Sequence, residues 1–247
     1  MTTPARLQEG VEVFNRDAAR DQGYGYTTDD QLSSRLATQR STDAILQTDQ
    51  FAGRSVLDLG CGDGFYTVRY WDQGKPRRFT AVDAAGEAVR VARQRAADRA
   101  IDFAVVDGTQ LPYRDNSFDV VLLQSILHHA TDPAGLIREG LRLAPRIVIH
   151  DPNGNNFGLK IIEKTSRYHI EHGEKSYSPR RLRRWVREAS GVTTSEHFAG
   201  FVPMFCPDSI ARLMKALEPL LEAAPGLRVV GCAVYTMVAQ RRDCQGS

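Results

Sequence analysis

The run Val56-Leu57-Asp58-Leu59-Gly60-Cys61-Gly62-Asp63-Gly64-Phe65 constrains the fold more than any other part of the chain. An apolar stretch of strand type meets an acid and then three glycines at alternate positions. Glycine lacks the Cβ that opposes positive φ and close approach, so the backbone here can turn sharply and pass near a ligand. In a strand–turn–helix unit such a turn sets the ligand at the carboxyl edge of the strand, beside the amino terminus of the next helix. A dinucleotide fingerprint asks for Gly-x-Gly-x-x-Gly, and Phe65 stands in its last place, which weakens an NAD reading.

Three more stretches end in the same manner. Phe79-Thr80-Ala81-Val82-Asp83 is a short apolar strand closing on an acid nineteen residues past Gly64, where a carboxylate can accept both hydroxyls of a ribose. Phe103-Ala104-Val105-Val106 runs into Asp107-Gly108, and Phe118-Asp119-Val120-Val121-Leu122-Leu123 into Gln124-Ser125. Between them, Phe65 onward and Gly86–Ala97 read as helices, the second with an apolar stripe at Ala88, Val89, Ala92 and Ala96. Strand–helix alternation with short connections implies a parallel sheet covered on both faces, with ligands at its carboxyl edge.

VLDLGCGDG, the acid in AVDA, VVDGTQLPY and FDVVLLQSILHH together resemble the class I S-adenosylmethionine-dependent methyltransferases, in order and spacing, over residues 52–150. The resemblance implies an α/β fold, a doubly wound, mostly parallel, seven-stranded Rossmann-like sheet with helices on both faces. It implies S-adenosyl-L-methionine as cofactor and S-adenosyl-L-homocysteine as product. Gly60, Gly62 and Gly64 would then let the methionine and ribose part approach, with Cys61 and Ala84 beside them. Asp58 would hold the ammonium, Asp83 the ribose hydroxyls, and Asp107 with the Gly108 amide the adenine edge. Gln124 would line the methionine portion. Asp107-Gly108 alone is also a common turn. The family's Gly-Gly turn before strand five is replaced by Leu143-Ala144-Pro145-Arg146, which puts that turn's geometry in doubt.

His128-His129 follow the fourth strand. By the resemblance, His128 falls where some small-molecule O-methyltransferases carry a general base, and an imidazole accepts a proton near neutrality. The alternative is that both histidines only wall the pocket, because a sulfonium donor is already activated and positioning can supply most of the acceleration. Strand five, Arg146–Ile149, leads into His150-Asp151-Pro152-Asn153-Gly154-Asn155-Asn156 on the same edge. His150, Asn153 and Asn155 are thereby candidate acceptor contacts, with plain loop chemistry as the alternative.

Residues 1–50 are expected to form an amino-terminal helical cap, and 51–247 the methyltransferase domain with a basic insertion at about 152–190. By resemblance the cap folds over the cofactor, which implies that Tyr24 or Tyr26 lines the pocket and that Arg40 meets the cofactor carboxylate. From Lys160 to Arg187 there are nine Lys or Arg against three Glu. Ser178-Pro179 opens a helix carrying Arg180, Arg181, Arg183, Arg184 and Arg187, with Leu182, Trp185 and Val186 on its buried side. Such a run is either a solvated face or a lid that reads an anionic or lipid-linked acceptor. Residues 207–224 read as a helix whose Ile210, Leu213, Met214, Leu217, Leu220 and Leu221 pack into the core, or else form a greasy mouth. Val229–Ala239 is expected to be the last strand.

Composition excludes several classes. With 247 residues, 42% hydrophobic and 25% charged, the chain buries a full core. A net charge of +2 provides no global field for nucleic acid, and leaves RNA methylation through the Arg-rich helix as an alternative, beside a non-catalytic cofactor-binding partner protein. The four cysteines show neither paired nor metal-type spacing, so no metal is expected and a reducing cytoplasm is. There is no signal pattern and no apolar run of membrane-spanning length, which leaves only peripheral membrane contact.

Overall fold

The computed structural model describes residues 5–21, 23–106, 110–166, 169, 170 and 174–242. Asp107 and Gly108, assigned to the adenine edge, lie outside the described residues. Helices α1 (Ala5–Asp21) and α2 (Leu32–Thr48) precede β1 (Ser55–Leu59), α3 (Phe65–Gly74), β2 (Arg78–Asp83), α4 (Gly86–Ala96) and β3 (Ile101–Val105). Then come β4 (Val120–Gln124), α5 (Pro133–Leu143), β5 (Arg146–Pro152), α6 (Phe157–Thr165) and α7 (Pro179–Glu188). The chain closes with β6 (Gly191–Ala199), α8 (Asp208–Ala223), α9 (Pro225–Gly231) and β7 (Val234–Arg241).

The strands form one seven-stranded sheet in the order β3-β2-β1-β4-β5-β7-β6, parallel from β3 to β5 and antiparallel where β7 inserts between β5 and β6. Strand order reverses between β1 and β4, the switch point at which such sheets open a crevice at their carboxyl ends. Both faces are covered, so β1 and β4 are buried along their whole length and read as continuous apolar runs rather than alternating ones. On one face Leu57, Leu59, Val121 and Leu123 pack with Ile137 of α5 and Val186 of α7. On the other, Val56, Phe79, Val120 and Leu122 pack with Ile45 of α2 and Tyr70 of α3. Alternation along β1 puts Asp58 on the Val56 side, under α3. The α4 stripe of Ala88, Val89, Ala92 and Ala96 is buried as its spacing requires.

Two expectations for the last third are corrected. Residues 225–231 are helical, because Pro225 presets the φ of a first helical turn, so the final strand begins at Val234 rather than Val229. The leucine stripe of α8 does not pack into the core. Its fully buried residues are Ala211 and Glu218, while Ile210, Leu213, Leu217 and Leu220 are exposed. The reason lies on α2. Arg40 donates through Nε to Glu222 Oε1 at 2.9 Å, pairs through Nη2 with Glu222 Oε2 at 2.5 Å, and lies 4.0 Å from Glu218 Oε2. His197 Nε2 of β6 lies 2.9 Å from the same Nη2. The carboxylate side of α8 therefore turns inward to Arg40 and the leucine side turns out. Arg40 is a structural ion-pair centre, and the expectation that it meets the cofactor carboxylate is overturned.

A buried carboxylate pair stripped of its cation is strongly destabilising. Arg40→Met should lower unfolding free energy in urea by about 3 kcal/mol, while affinity for S-adenosylhomocysteine stays unchanged. Weakened ligand binding at unchanged stability would return Arg40 to the cofactor.

Candidate active site

A cavity of about 920 Å³ opens at the carboxyl edge of the sheet over the β1–β4 switch point. Its floor is the turn after β1. The Gly60 and Cys61 amides both donate to Val82 O of β2, at 2.8 and 3.0 Å, which bends the chain back over the sheet edge. Gly60 has φ 86°, and a Cβ there would lie 2.4 Å from Ile126 Cδ1. Gly62 has φ 53°, and a Cβ there would lie 2.8 Å from the Tyr24 ring. Gly64 is corrected. It does not line the cavity, and a Cβ there would lie 2.8 Å from Ala92 Cβ, so it serves the close packing of α3 on α4.

Three carboxylates surround this turn. Asp58, 3% exposed, accepts from Thr67 Oγ1 of α3 at 2.6 Å. Burial pushes its pKa up to about 7, against the Thr67 hydrogen bond, with the Asp83 charge adding to the rise. Asp83 uses one oxygen for the Gly62 amide at 2.9 Å and the other for the Ala85 amide at 2.8 Å. Its pKa is also raised, by burial, against those amides. Asp63, 1% exposed, accepts from the amides of Tyr24 at 3.0 Å and Phe65 at 3.1 Å and from Thr27 Oγ1 at 2.6 Å. It also pairs with Arg95 Nη1 of α4 at 2.8 Å. Sequence reasoning passed over Asp63, since nothing local distinguishes it from a turn residue. Cys61 lines the cavity with its thiol pKa pushed well up by burial and by the three acids.

The remaining wall comes from several elements. Ala84 lines it beside Asp83. Gln124, at the end of β4, is buried, accepts from the Tyr70 hydroxyl, and lines the cavity. Tyr24 and Tyr26 both line it, with Phe14 of α1 edge-on to Tyr24 and to His129. His150 lines it too, but burial, with Arg40 and His197 nearby, pushes its pKa down to about 3. Its Nδ1 lies 2.8 Å from Thr236 Oγ1 of β7, so it is a neutral polar wall. Asn153 and Asn155 are corrected. Neither lines the cavity. Asn153 is fully buried, its amide donates to Val229 O and Cys232 O at 3.0 Å each, and its Oδ1 accepts from the Asn155 amide at 3.1 Å. The pair pins the loop after β5 to α9. Asn156, which sequence reasoning did not single out, lines the cavity and caps α6. No residue from 175 to 190 lines it, so the arginine face of α7 is not a lid over this cavity.

His128 sits on the turn after β4, 7% exposed, with Nδ1 2.8 Å from Oδ1 of Asp151, itself 1% exposed on β5. Burial lowers the His128 pKa, but the Asp151 charge and hydrogen bond outweigh it and the net direction is up. The contact commits Nδ1 and leaves Nε2 as the available nitrogen. Asp151 was missed as a partner because it is 23 residues away, and only the β4–β5 pairing brings the two together.

The donor set fits a cationic ligand with an adjacent diol. Asp58 and Asp83 both have pKa values raised by burial, which a positive ligand relieves, and the Gly60 and Gly62 backbone lines the cavity beside them, with Ile126 and the Tyr24 ring packed where a Cβ would stand. Linkage gives the sign for Asp58. Below about pH 4 its carboxyl is protonated folded and unfolded alike. From there to about pH 7 only the unfolded chain releases the proton, so this contribution to stability falls as pH rises through that window. Asp58→Asn keeps the acceptor for Thr67 and removes the titration. It should be more stable than the parent at pH 8, by roughly 2–4 kcal/mol, and no more stable at pH 4. Parallel pH profiles in urea unfolding would contradict the assignment.

Comparison with known proteins agrees with this geometry. Residues 57–145 match the family model described as a methyltransferase domain. The 27-O-demethylrifamycin SV methyltransferase of Amycolatopsis mediterranei is 31% identical over 150 residues, 57% of this chain and 55% of that protein. The ubiquinone biosynthesis O-methyltransferase of Idiomarina loihiensis is 29% identical over 160 residues, 63% of this chain and 54% of that one. The chain spans about half the length of these curated relatives. In fold it is similar to a Thermotoga maritima S-adenosylmethionine-dependent methyltransferase described as a possible histamine N-methyltransferase, with a TM-score of 0.70 at 16% identity over 94% of this chain and 100% of that one. Motif order, switch-point cavity and these similarities converge: residues 57–145 are similar to a methyltransferase domain, and the chain shares the fold of a solved S-adenosylmethionine-dependent methyltransferase.

Proposed function

We propose that the protein transfers the methyl group of S-adenosyl-L-methionine to an oxygen of a small organic acceptor. The observation that carries this reading is the His128–Asp151 contact on the same cavity wall as the acidic glycine turn. When bound, the cofactor supplies a methyl group already activated on a sulfonium sulfur. The chain's own residues hold and orient. Asp58 faces the ammonium, Asp83 takes the ribose hydroxyls on the lone pairs its two amides leave free, and Gln124 lines the methionine part. Gly60, Cys61, Gly62 and Ala84 give close backbone contact. Tyr24 closes over Gly62 and excludes water.

His128 and His129 face the acceptor, and His128 activates it through Nε2, held in one orientation by Asp151. An oxygen acceptor agrees with the names of the rifamycin and ubiquinone relatives. The body of the acceptor is apolar, because Ile162, Phe201, Val202, Met204 and Phe205 line the cavity. Phe157, Leu213 and Leu220 are exposed apolar side chains on the same molecule, and an apolar lining suits a hydrophobic or lipid-linked acceptor. An anionic acceptor read by the α7 arginines loses its support, since none of them lines the cavity. The three described cysteines are free thiols, which fits a reducing cytoplasm. Among the described residues no helix is long and apolar enough to cross a membrane.

Calorimetry with S-adenosylhomocysteine, against NAD as control, tests the cofactor roles. Asp83→Ala should lose about 1–3 kcal/mol of affinity; no binding by the parent, or preference for NAD, would overturn the reading. His128→Ala should bind the same ligand with parental affinity while turnover of labelled cofactor on hydroxylated small molecules falls about 100-fold or more. Undiminished turnover would leave His128 as wall only.

A further inference from the structure

His128 and His129 are neighbours in sequence, and their rings lie 3.9 Å apart between centroids on the turn after β4. A distant segment returns over them. The Lys175 amide donates to His128 O at 3.2 Å, which fixes Glu174 beside the pair. One ligand atom from each of His128, His129 and Glu174 lies within 4.8 Å of the other two. Glu174 Oε2 is also 3.3 Å from His169 Nε2. His128 is buried, His129 and Glu174 are half-buried, and all three line the cavity.

Two imidazoles and a carboxylate form a donor set that suits divalent first-row transition metals and leaves a coordination position open. The Asp151 contact adds an independent feature. A histidine that binds metal through one ring nitrogen ordinarily has the other held by a carboxylate, which fixes the tautomer, aims the ring and raises its basicity. His128 has that arrangement, with Nδ1 2.8 Å from a buried carboxylate and Nε2 left over. Around a tetrahedral ion at about 2.0–2.1 Å the donors stand roughly 3.4 Å apart. The half-buried His129 and Glu174 side chains must therefore close in by about an ångström on a buried His128 that stays put.

We propose that His128, His129 and Glu174 bind one divalent transition-metal ion, with its open coordination position facing the acceptor end of the cavity. The acceptor's place there rests on the function proposed above, whereas the ion site stands on ligand geometry alone. In this arrangement Nε2 of His128 would be a ligand and no longer a free base, the ion in its place would polarise the acceptor oxygen, and the site would account for a glutamate brought over the histidine pair from a separate segment. Ligation requires neutral imidazole, so binding weakens as pH falls and protons compete.

Cobalt(II) is the probe, because its visible absorption reports nitrogen and oxygen ligation directly. Chelator-treated full-length protein would be titrated with Co²⁺ by absorption and calorimetry, with S-adenosylhomocysteine affinity measured on the same samples. The expected result is one Co²⁺ per chain with a visible band, weaker at pH 5.5 than at pH 7.5. Glu174→Gln and His129→Ala should each weaken Co²⁺ at least about 10-fold and leave S-adenosylhomocysteine affinity as in the parent. No stoichiometric Co²⁺ binding by the parent overturns the proposal whatever the variants do, as does parental Co²⁺ affinity in both variants. S-adenosylhomocysteine bound without Co²⁺ defeats the ion site and spares the methyltransferase reading. Co²⁺ bound without S-adenosylhomocysteine does the reverse.

Discussion

The buried carboxylate of Asp63 ties together the parts of the molecule that make the cavity. A charge taken out of water is tolerated only when paired and hydrogen-bonded, and Asp63 meets both conditions with four groups from three places. The Tyr24 amide and Thr27 hydroxyl come from the link between α1 and α2, the Phe65 amide from the start of α3, and Arg95 from α4. One side chain thus fastens the amino-terminal segment onto the glycine turn. Because Tyr24 is held at its amide, its ring lies against Gly62, and the cavity has a roof as well as a floor.

Electrostatics divides that cavity into two ends. Around the turn, Asp58 and Asp83 sit where burial favours their neutral forms, a cost that a cationic ligand offsets. Around the histidines, one buried carboxylate orients one imidazole while His150, with its pKa pushed down to about 3, stays neutral and contributes no competing charge. Similar side chains therefore behave differently according to what buries them. Arg40 gives a third instance. It is committed to Glu222 and Glu218, and the helix it recruits turns its leucines outward.

Residues 52–150 carried most of the fold in legible form, for a local reason. Strands β1, β2, β4 and β5 are buried along most of their length, so they appear as largely apolar runs, and β1, β2 and β4 end at the cavity edge, where they close on Gly, Asp or Gln. Gly60, Gly62, Asp58, Asp83 and Gln124 were readable at the cavity because their place follows from the ends of β1, β2 and β4. Asn153 and Asn155 misled, since an asparagine at a strand end looks alike whether it faces a ligand or ties down a backbone. The α8 stripe misled because helical periodicity shows that a face is apolar without showing which side of the helix finds a partner.

The sequence by itself determined the doubly wound sheet, the acidic glycine turn and the resemblance to methyltransferases, because these rest on short-range patterns of burial and backbone freedom. Only the tertiary structure decided the pairings across long separations: Asp151 with His128, Glu174 with the two histidines, Asp63 with Tyr24 and Thr27, and Arg40 with α8. None of these has a fixed spacing in the chain. Each depends on which elements the sheet brings side by side, and a buried charge takes whatever partner that geometry offers.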